Sequence, residues 1–247
     1  MQFFGNATGS GEVTALNGVE AICCGLDYGV FNIAVLTDLI GAGSGLEKRL
    51  AECVRHFQTR TPRWSFWLCE DFLEPQVRRR ARSVFAAVGM RVISQPPGMF
   101  TESLGAPGWQ LPPLECRPVD NQTMRDTFAG ITSTCFDIPV AVANAVYRPE
   151  RAWWGSYRGY VGLRKGQPVA IAATVDAADV LGVYSLATLP EFRRQGMGEA
   201  LLRAAVAREQ ERLGPRRIVL QSTEAGYRMY RRLGFRDVAK FSVYLTG

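Results

Sequence analysis

Two arginines and two glycines stand directly before an amphipathic helical pattern in PEFRRQGMGEALLRAAVAREQERLG, residues 190–214. A helix start attracts an anion because its first N–H groups lack intrahelical partners and lie at the positive end of the helix dipole. Gly196 and Gly198 leave room for a phosphate close to the backbone, and Arg193 and Arg194 add positive charge. The stretch predicts a phosphate-binding loop; an ordinary strand-to-helix turn is the alternative.

The elements around this loop have the order that such a site needs. A strand pattern, LGVYSLATL, precedes the loop, and a helix is predicted from about Gly196 to Leu213. A strand (RIVLQS), a short helix (AGYRMYRRL) and Gly234 follow, and FRDVAKFSVYL then predicts a pair of strands. The loop is therefore expected between a strand and a helix.

These motifs resemble the GNAT superfamily of acyl-CoA N-acyltransferases, whose pyrophosphate loop is commonly written Q/RxxGxG/A. Arg193, Gly196 and Gly198 occupy the positions of that pattern, and a short helix ending in YRRLGF follows at the family's usual distance. The resemblance is good over about residues 114–247 and degenerate over 1–101. It implies acetyl-CoA as the donor and an amine as the acceptor.

The resemblance also implies roles for single residues. Tyr230 stands where the family often has a tyrosine that faces the cofactor sulfur, and a protonated phenol can donate to a thiolate. Packing under the sheet is the alternative for Tyr230 and the expected role of Tyr227. Because the family parts its sheet beside the loop, strand amides are expected to polarise the acyl carbonyl. The resulting set of cofactor-binding residues is Leu186, Ala187, Thr188, Arg193, Arg194, Gln195, Gly196, Met197, Gly198, Glu199, Ser222 and Tyr230.

The general base departs from the family's pattern. Many relatives carry a glutamate six residues before the proline of the loop, whereas this chain has Tyr184 there and no carboxylate on that strand. Three routes stay open: a water chain ending on Tyr184, Ser185 or Ser222, a more distant acid such as Glu224, or an acceptor that arrives neutral. Tyr184 and Ser185 join Tyr230 as the predicted catalytic residues.

Aromatic residues are the candidates for acceptor recognition. They lie between the first strand of the second half and its hairpin, where the family builds helices and a loop over the acceptor groove. Packing against the sheet is an equal alternative for each of them. The candidates are Phe136, Tyr147, Trp153, Trp154 and Tyr157.

The first half repeats the order of the second half without its chemistry. It has helical patterns in LEKRLAECVRHF and VRRRARSVFAAVG, strand patterns in WSFWLC and MRVIS, and a helix-ending glycine, Gly89. Aligning Gly89 with Gly234 puts Phe85 opposite Tyr230, and IGAGSGLEKRL has no basic pair. The pattern indicates a tandem duplication whose first copy has no active site.

The predicted fold class is α/β (α+β), with two GNAT-like mixed-sheet domains that each have a central twisted sheet flanked by helices. The density of Pro and Gly in QPPGMFTESLGAPGWQLPPLECRP predicts an extended connector. The domains are then a degenerate copy at 1–101, a linker at 102–113 and the catalytic copy at 114–247.

Composition disfavours membrane, secreted and metal-binding proteins. The 247 residues are 47% hydrophobic, with no apolar run long enough to span a bilayer and no secretory signal, so a soluble cytoplasmic protein is expected. Six cysteines without zinc-like spacing predict buried thiols and no metal, and His56 is predicted to be a half-exposed helix residue. The net charge of +6 lies wholly in residues 113–247, which hold nineteen Lys/Arg and thirteen Asp/Glu.

The leading prediction is an acetyl-CoA-dependent N-acetyltransferase acting on a primary amine, with a small molecule or amino acid favoured. The alternative is a non-catalytic acyl-CoA-binding or regulatory module. A nucleic-acid partner is not expected, because the sequence has neither a helix-turn-helix nor strands of interleaved basic and aromatic residues. No membrane partner is expected either, and the sequence leaves the oligomeric state open.

Overall fold

The computed structural model describes residues 2–43 and 45–247, which form two compact units. Unit 1 comprises Met1–Gly98 with Val238–Gly247, and unit 2 comprises Met99–Asp237. The helices are α1 (Gln2–Gly5), α2 (Gly45–Gln58), α3 (Pro75–Ala87), α4 (Gln122–Phe136), α5 (Val140–Tyr147), α6 (Met197–Leu213) and α7 (Glu224–Arg232). The strands are β1 (Glu12–Leu16), β2 (Val19–Cys23), β3 (Ile33–Leu36), β4 (Ser65–Cys69), β5 (Met90–Ser94), β6 (Pro97–Thr101), β7 (Glu115–Pro118), β8 (Tyr157–Arg164), β9 (Gln167–Ala177), β10 (Val180–Thr188), β11 (Arg217–Gln221) and β12 (Arg236–Thr246).

Unit 1 is a mixed sheet with strand order β1-β2-β3-β4-β12, and β5 also pairs with β12. The pairs β1–β2 and β2–β3 are antiparallel, and β3–β4 is parallel, with α2 as the connection between these two strands. Leu46, Leu50 and Phe57 of α2 and Val77 and Phe85 of α3 are buried in one core. The apolar residues at helical spacing thus lie on the buried faces of α2 and α3, except Val88, which follows α3 and is exposed.

Unit 2 is a second mixed sheet, with strand order β6-β11-β10-β9-β8-β7. Strands β7 to β10 are antiparallel neighbours, and β10–β11 is parallel, with α6 as the connection. Leu201, Leu202 and Ala205 of α6 are fully buried against the sheet. The predicted α/β class with mixed sheets and flanking helices is confirmed.

The two units share one order of elements. Each has antiparallel strands, a helical connection to a parallel strand and a second helix that ends at a glycine with positive φ. These glycines are Gly89 (φ 79°) and Gly234 (φ 95°), where a side chain would strain the backbone. The shared order supports the interpretation of a duplication.

The C-terminal segment differs from the sequence-based expectation. FRDVAKFSVYL is one strand, β12, rather than a pair of strands, and its residues from Val238 onward belong to unit 1. Strand β12 pairs with β4 and β5, partners far away in the chain that a local apolar pattern cannot identify. Residues 102–113 hold no helix or strand, as the connector prediction requires, but they lie within unit 2.

The cysteines and His56 are buried or partly buried side chains. All six cysteines are free thiols, three of them buried and three partly buried. His56 is buried, not half-exposed as predicted, because its ring packs edge-on against Phe57, and burial lowers the pKa of its imidazole. Within residues 2–43 and 45–247 there is no cluster of side chains suited to a metal ion and no helix long and apolar enough to cross a membrane.

Candidate functional site

The predicted phosphate loop, Arg193 to Gly196, lies between β10 and α6. A short 3-10 turn, Pro190–Phe192, leads into the loop, and Gly196 (φ 79°) is the residue before the helix. Gly196 provides no side-chain cap, so the first N–H groups of α6 keep their hydrogen-bonding capacity. Uncapped N–H groups at the start of a 17-residue helix suit an anion.

A side chain has no room at Gly196 and little room at Gly198, in the first turn of α6. A Cβ on Gly196 would lie 2.9 Å from Pro112 Cδ, and one on Gly198 would lie 3.1 Å from Thr188 Oγ1. The positive φ of Gly196 is a second reason for glycine. The loop therefore fits both a phosphate that approaches the backbone and a tightly packed turn.

Polar side chains hold the loop and leave one arginine available. Arg193 Nε donates to the Thr188 carbonyl at 3.0 Å, and Gln195 accepts from Arg164 Nη1 at 2.8 Å. Arg194 is exposed and makes no hydrogen bond or ion pair with another described residue. Arg193 thus fixes the loop, whereas Arg194 and Arg164 supply positive charge at its surface.

The end of β10 separates from β11 beside this loop. The parallel pairing runs from Val180 opposite Arg217 to Val183 opposite Leu220, whereas the pairing with β9 continues to Thr188. A β-bulge interrupts the β9 pairing between Tyr184 and Ala187. Residues 184–188, called the parted segment below, extend beyond the last residue pair with β11.

The predicted cofactor residues fall into different surroundings. Leu186, Ala187 and Thr188 of the parted segment are half-buried, and Met197 is buried in the core under α6. Ser222 is buried at the end of β11, and its hydroxyl donates to the Thr223 carbonyl. The Glu199 carboxylate is buried and accepts from Arg203 Nη2 at 2.9 Å, so only its backbone is available to an anion.

Tyr230 lies in the core of unit 2 with a hydroxyl that makes no hydrogen bond to a described residue. Its ring packs edge-on against Phe235 at 5.6 Å, and Leu186 of the parted segment packs against the same core cluster. Burial raises the pKa of the Tyr230 phenol to about 12. Tyr227, by contrast, is half-buried, and its hydroxyl donates to Asp237 at 3.0 Å.

Ser185 has positive φ (49°) at the bulge, and its hydroxyl lies 2.8 Å from the Tyr157 hydroxyl. Tyr147, Trp153 and Tyr157 form a buried or half-buried aromatic cluster around Phe128. Burial raises the pKa of the Tyr147 and Tyr157 phenols, so both are neutral near pH 7. Tyr184 is 46% exposed, and partial desolvation raises the pKa of its phenol, which is neutral as well. The other two acceptor candidates are largely exposed: Phe136 and Trp154.

Unit 1 has an apolar ring at the position that corresponds to Tyr230. Phe85 is fully buried and stacks on Tyr244 with a ring-centroid distance of 3.8 Å. The glycine-rich stretch before α2 includes Ser44, which lies outside the described residues. Phe85 is a packing residue of the unit 1 core.

Three site neighbours were not predicted. Trp109 and Pro112 lie beside Gly196, where they would meet a Cβ on that residue, and Arg232 lies over the Trp109 ring at 4.5 Å. The sequence placed residues 102–113 in a linker, and nothing in a Pro- and Gly-rich stretch indicates which loop it covers. The signal that the sequence offered for a role of this stretch was Trp109, the one aromatic residue in residues 102–113.

Comparison with known proteins agrees with this geometry. Residues 155–237 match the acetyltransferase (GNAT) domain family, and the match contains the parted segment, the loop and α7. Residues 155–237 are a GNAT domain. No curated protein sequence matches the chain.

Solved structures extend the GNAT fold beyond the matched residues. A GCN5-related N-acetyltransferase from Kribbella flavida is 20% identical, with a TM-score of 0.70 over 96% of this chain and 89% of its own. A putative GNAT acetyltransferase from Novosphingobium aromaticivorans is 19% identical, with a TM-score of 0.57 over 94% and 89%. A tandem GNAT protein from the clavulanic acid biosynthesis pathway is 13% identical, with a TM-score of 0.55 over 92% and 78%. The chain therefore shares their fold over both units.

Proposed function

We propose that this protein is an acetyl-CoA-dependent N-acetyltransferase that acts on a primary amine. The observation that carries the proposal is the parting of β10 from β11 beside the uncapped start of α6. Thr188, at the end of the parted segment, lies against Gly198, and Leu186 packs against the cluster that contains Tyr230. The start of α6, the parted segment and the Tyr230 phenol are thus neighbouring parts of the GNAT domain, which supports the proposal.

Each part has a role in holding the coenzyme. The N–H groups from Gln195 to Glu199 and the Arg194 guanidinium would hold the pyrophosphate. Those backbone groups of Leu186 to Thr188 that do not pair with β9 or with Arg193 would pair with the pantetheine arm. When bound, acetyl-CoA supplies an acetyl thioester. The N–H groups of the parted segment are then the donors that stabilise negative charge on the acyl oxygen.

Tyr230 would hold a proton at its phenol oxygen for the departing sulfur. A pKa of about 12 keeps the phenol protonated at neutral pH, but makes it a weaker acid than an exposed tyrosine. Burial affects thiols in the same direction, since in this chain it raises the pKa of Cys24 to about 11 and that of Cys53 to about 12. A departing thiolate in dry surroundings would likewise be a stronger base than in water, which favours its protonation by Tyr230.

The phenols near the parted segment cannot act as general bases. Burial raises the pKa of Tyr157 and Tyr184, so both stay protonated and have no capacity for another proton at neutral pH. The Ser185 hydroxyl contacts Tyr157 and can pass a hydrogen bond to water without becoming a base. We infer that the acceptor amine binds in its neutral form or loses its proton to solvent.

This inference predicts the pH dependence. Because the amine reacts only in its neutral form and no phenol takes up its proton, kcat/KM is expected to rise about tenfold per pH unit up to the pKa of the acceptor amine itself. Tyr230, with a pKa of about 12, should cause no alkaline loss below about pH 11. Steady-state rates at constant ionic strength check both points. A different result would contradict this inference: kcat/KM that rises with pH through the pKa range of a carboxylate, with that rise lost in Glu224→Gln. Glu224 would then be the general base.

Unit 1 is expected to bind no coenzyme. The stretch IGAGSGLEKRL has no basic pair to hold a pyrophosphate, and Phe85, which is packed within the core, cannot donate a proton. Isothermal titration of the full chain with acetyl-CoA should give one coenzyme per chain. Two equivalents would contradict the proposed loss of function in unit 1.

The activity itself is tested by acceptor screening. Amino acids, polyamines, aminoglycosides and peptides are incubated with acetyl-CoA, and free thiol is measured. Thiol release that depends on one amine class, with an acetylated product by mass spectrometry, would support transfer. Binding of acetyl-CoA without acceptor-dependent release across this panel favours the second candidate, a non-catalytic acyl-CoA-binding module, to which the lack of a carboxylate on β10 also points.

A further inference from the structure

The connector, residues 102–113, covers the start of α6. Pro112 Cδ and Trp109 Nε1 lie 2.9 and 3.5 Å from the position that a Cβ on Gly196 would occupy. The connector is fixed within unit 2 by a hydrogen bond from the Gly105 N–H to the Leu233 carbonyl, 3.0 Å long, and by packing of Leu104 against the core. This segment therefore has a defined place beside the phosphate loop.

Trp109 and Arg232 form a pair next to Gly196. The Arg232 guanidinium lies 4.5 Å from the centroid of the Trp109 ring, and Arg232 Nη2 lies 3.6 Å from Glu199 Oε2. Glu199 has a second partner in Arg203, so the buried carboxylate does not depend on Arg232 alone. The Arg232 side chain is half-exposed, and Trp109 is 45% exposed although Arg232 covers one face of its ring. Both side chains keep surface for a ligand.

We propose that Trp109 and Arg232 bind the nucleotide end of coenzyme A. In this arrangement the indole stacks on the adenine base and the guanidinium pairs with the ribose 3′-phosphate. The inference rests on the proposed function, which puts the pyrophosphate at Gly196; Trp109 Nε1 lies 3.5 Å from the position that a Cβ on Gly196 would occupy. The nucleotide joins the coenzyme through that pyrophosphate, so it must lie near the loop.

The chemistry of the pair fits both parts of the nucleotide. Aromatic rings bind nucleobases by stacking, whichever base is present, because every base has a π face. Guanidinium groups bind phosphate through two parallel N–H···O bonds and remain charged at all relevant pH values.

The test compares coenzyme A with dephospho-coenzyme A, which lacks the 3′-phosphate. Isothermal titration measures Kd for both with the full chain and with Trp109→Ala, Trp109→Phe and Arg232→Gln. Trp109→Ala should weaken both ligands about 10-fold, with a smaller loss for Trp109→Phe because a ring remains. Arg232→Gln should weaken coenzyme A about 10-fold and leave dephospho-coenzyme A nearly unchanged.

Matched variants control for unrelated effects. Leu39→Ala removes an exposed apolar side chain of unit 1, and Arg79→Gln removes an exposed charge from α3. Neither should change the Kd of either ligand by more than about twofold, and ligand-free melting temperatures show whether each variant is folded.

Two results would overturn the inference while leaving the proposed function intact. One is tight binding of coenzyme A that neither Trp109→Ala nor Arg232→Gln changes. The other is an equal loss for both ligands in Arg232→Gln, which would mean that the pair only supports the loop. Failure of the wild-type chain to bind coenzyme A at all would overturn the proposed function and this inference together.

Discussion

Tyr230→Phe is expected to lower kcat by about 10² to 10⁴, the usual contribution of general acid catalysis, with little change in the Kd of acetyl-CoA. The substitution keeps the ring that packs against Phe235 and removes a hydroxyl with no hydrogen-bond partner among the described residues. The folded state should therefore lose little stability. Steady-state kinetics with the best acceptor, together with titration of the coenzyme, separates the rate effect from binding.

Tyr227→Phe is the matched control on the same helix. Its hydroxyl donates to Asp237 at the surface, so its removal breaks one hydrogen bond, worth about 1 kcal/mol of stability, away from the core that Tyr230 shares with Leu186. Its kcat should stay within about twofold of wild type. Small and equal effects of both substitutions would mean that Tyr230 is a packing residue and that solvent protonates the thiolate.

The local parts of the fold followed from sequence. Helices α2, α3, α6 and α7 have apolar residues at helical spacing, and the glycines that end α3 and α7 have the positive φ that selects glycine. Strand β12 shows what a local sequence pattern cannot predict. Its apolar residues indicate a strand, but its pairing with β4 and β5 depends on contacts across most of the chain, which periodicity does not encode.

In the candidate site, too, the local parts could be predicted from the sequence and the contacts between distant segments could not. Arg194, Gly196 and the start of α6 form one continuous stretch, so their arrangement could be predicted together. The neighbours from distant segments could not be predicted: Trp109 and Pro112 reach Gly196 from the connector, and Tyr157 reaches Ser185 from β8. The same holds for His56, whose burial depends on neighbours that the helical pattern does not show.

Gly196→Val is expected to abolish the thermal stabilisation that acetyl-CoA gives the wild-type chain. At 100 times its Kd a ligand adds about 2.7 kcal/mol to the free energy of unfolding, or about 5–10 °C in Tm for a chain of this size. A Cβ at Gly196 meets Pro112 Cδ at 2.9 Å, and a β-branched residue at φ 79° is strained, so the loop must move away from its present geometry. Differential scanning fluorimetry with and without acetyl-CoA measures the shift.

Gly214→Val separates the loss of the site from general strain. Gly214 ends the same helix at φ 78°, has no atom within 4 Å of the position that a Cβ would occupy, and lies roughly 25 Å from Gly196 along the 17 residues of α6. Both variants should have a lower ligand-free Tm, since each puts a β-branched side chain where glycine is favoured at a cost of about 1–3 kcal/mol. Only Gly196→Val should lose the response to acetyl-CoA, because the damage at Gly214 leaves the first turn of α6 intact. If Gly196→Val still responds fully, the pyrophosphate does not bind at the start of α6, and the glycines of the loop serve the turn alone.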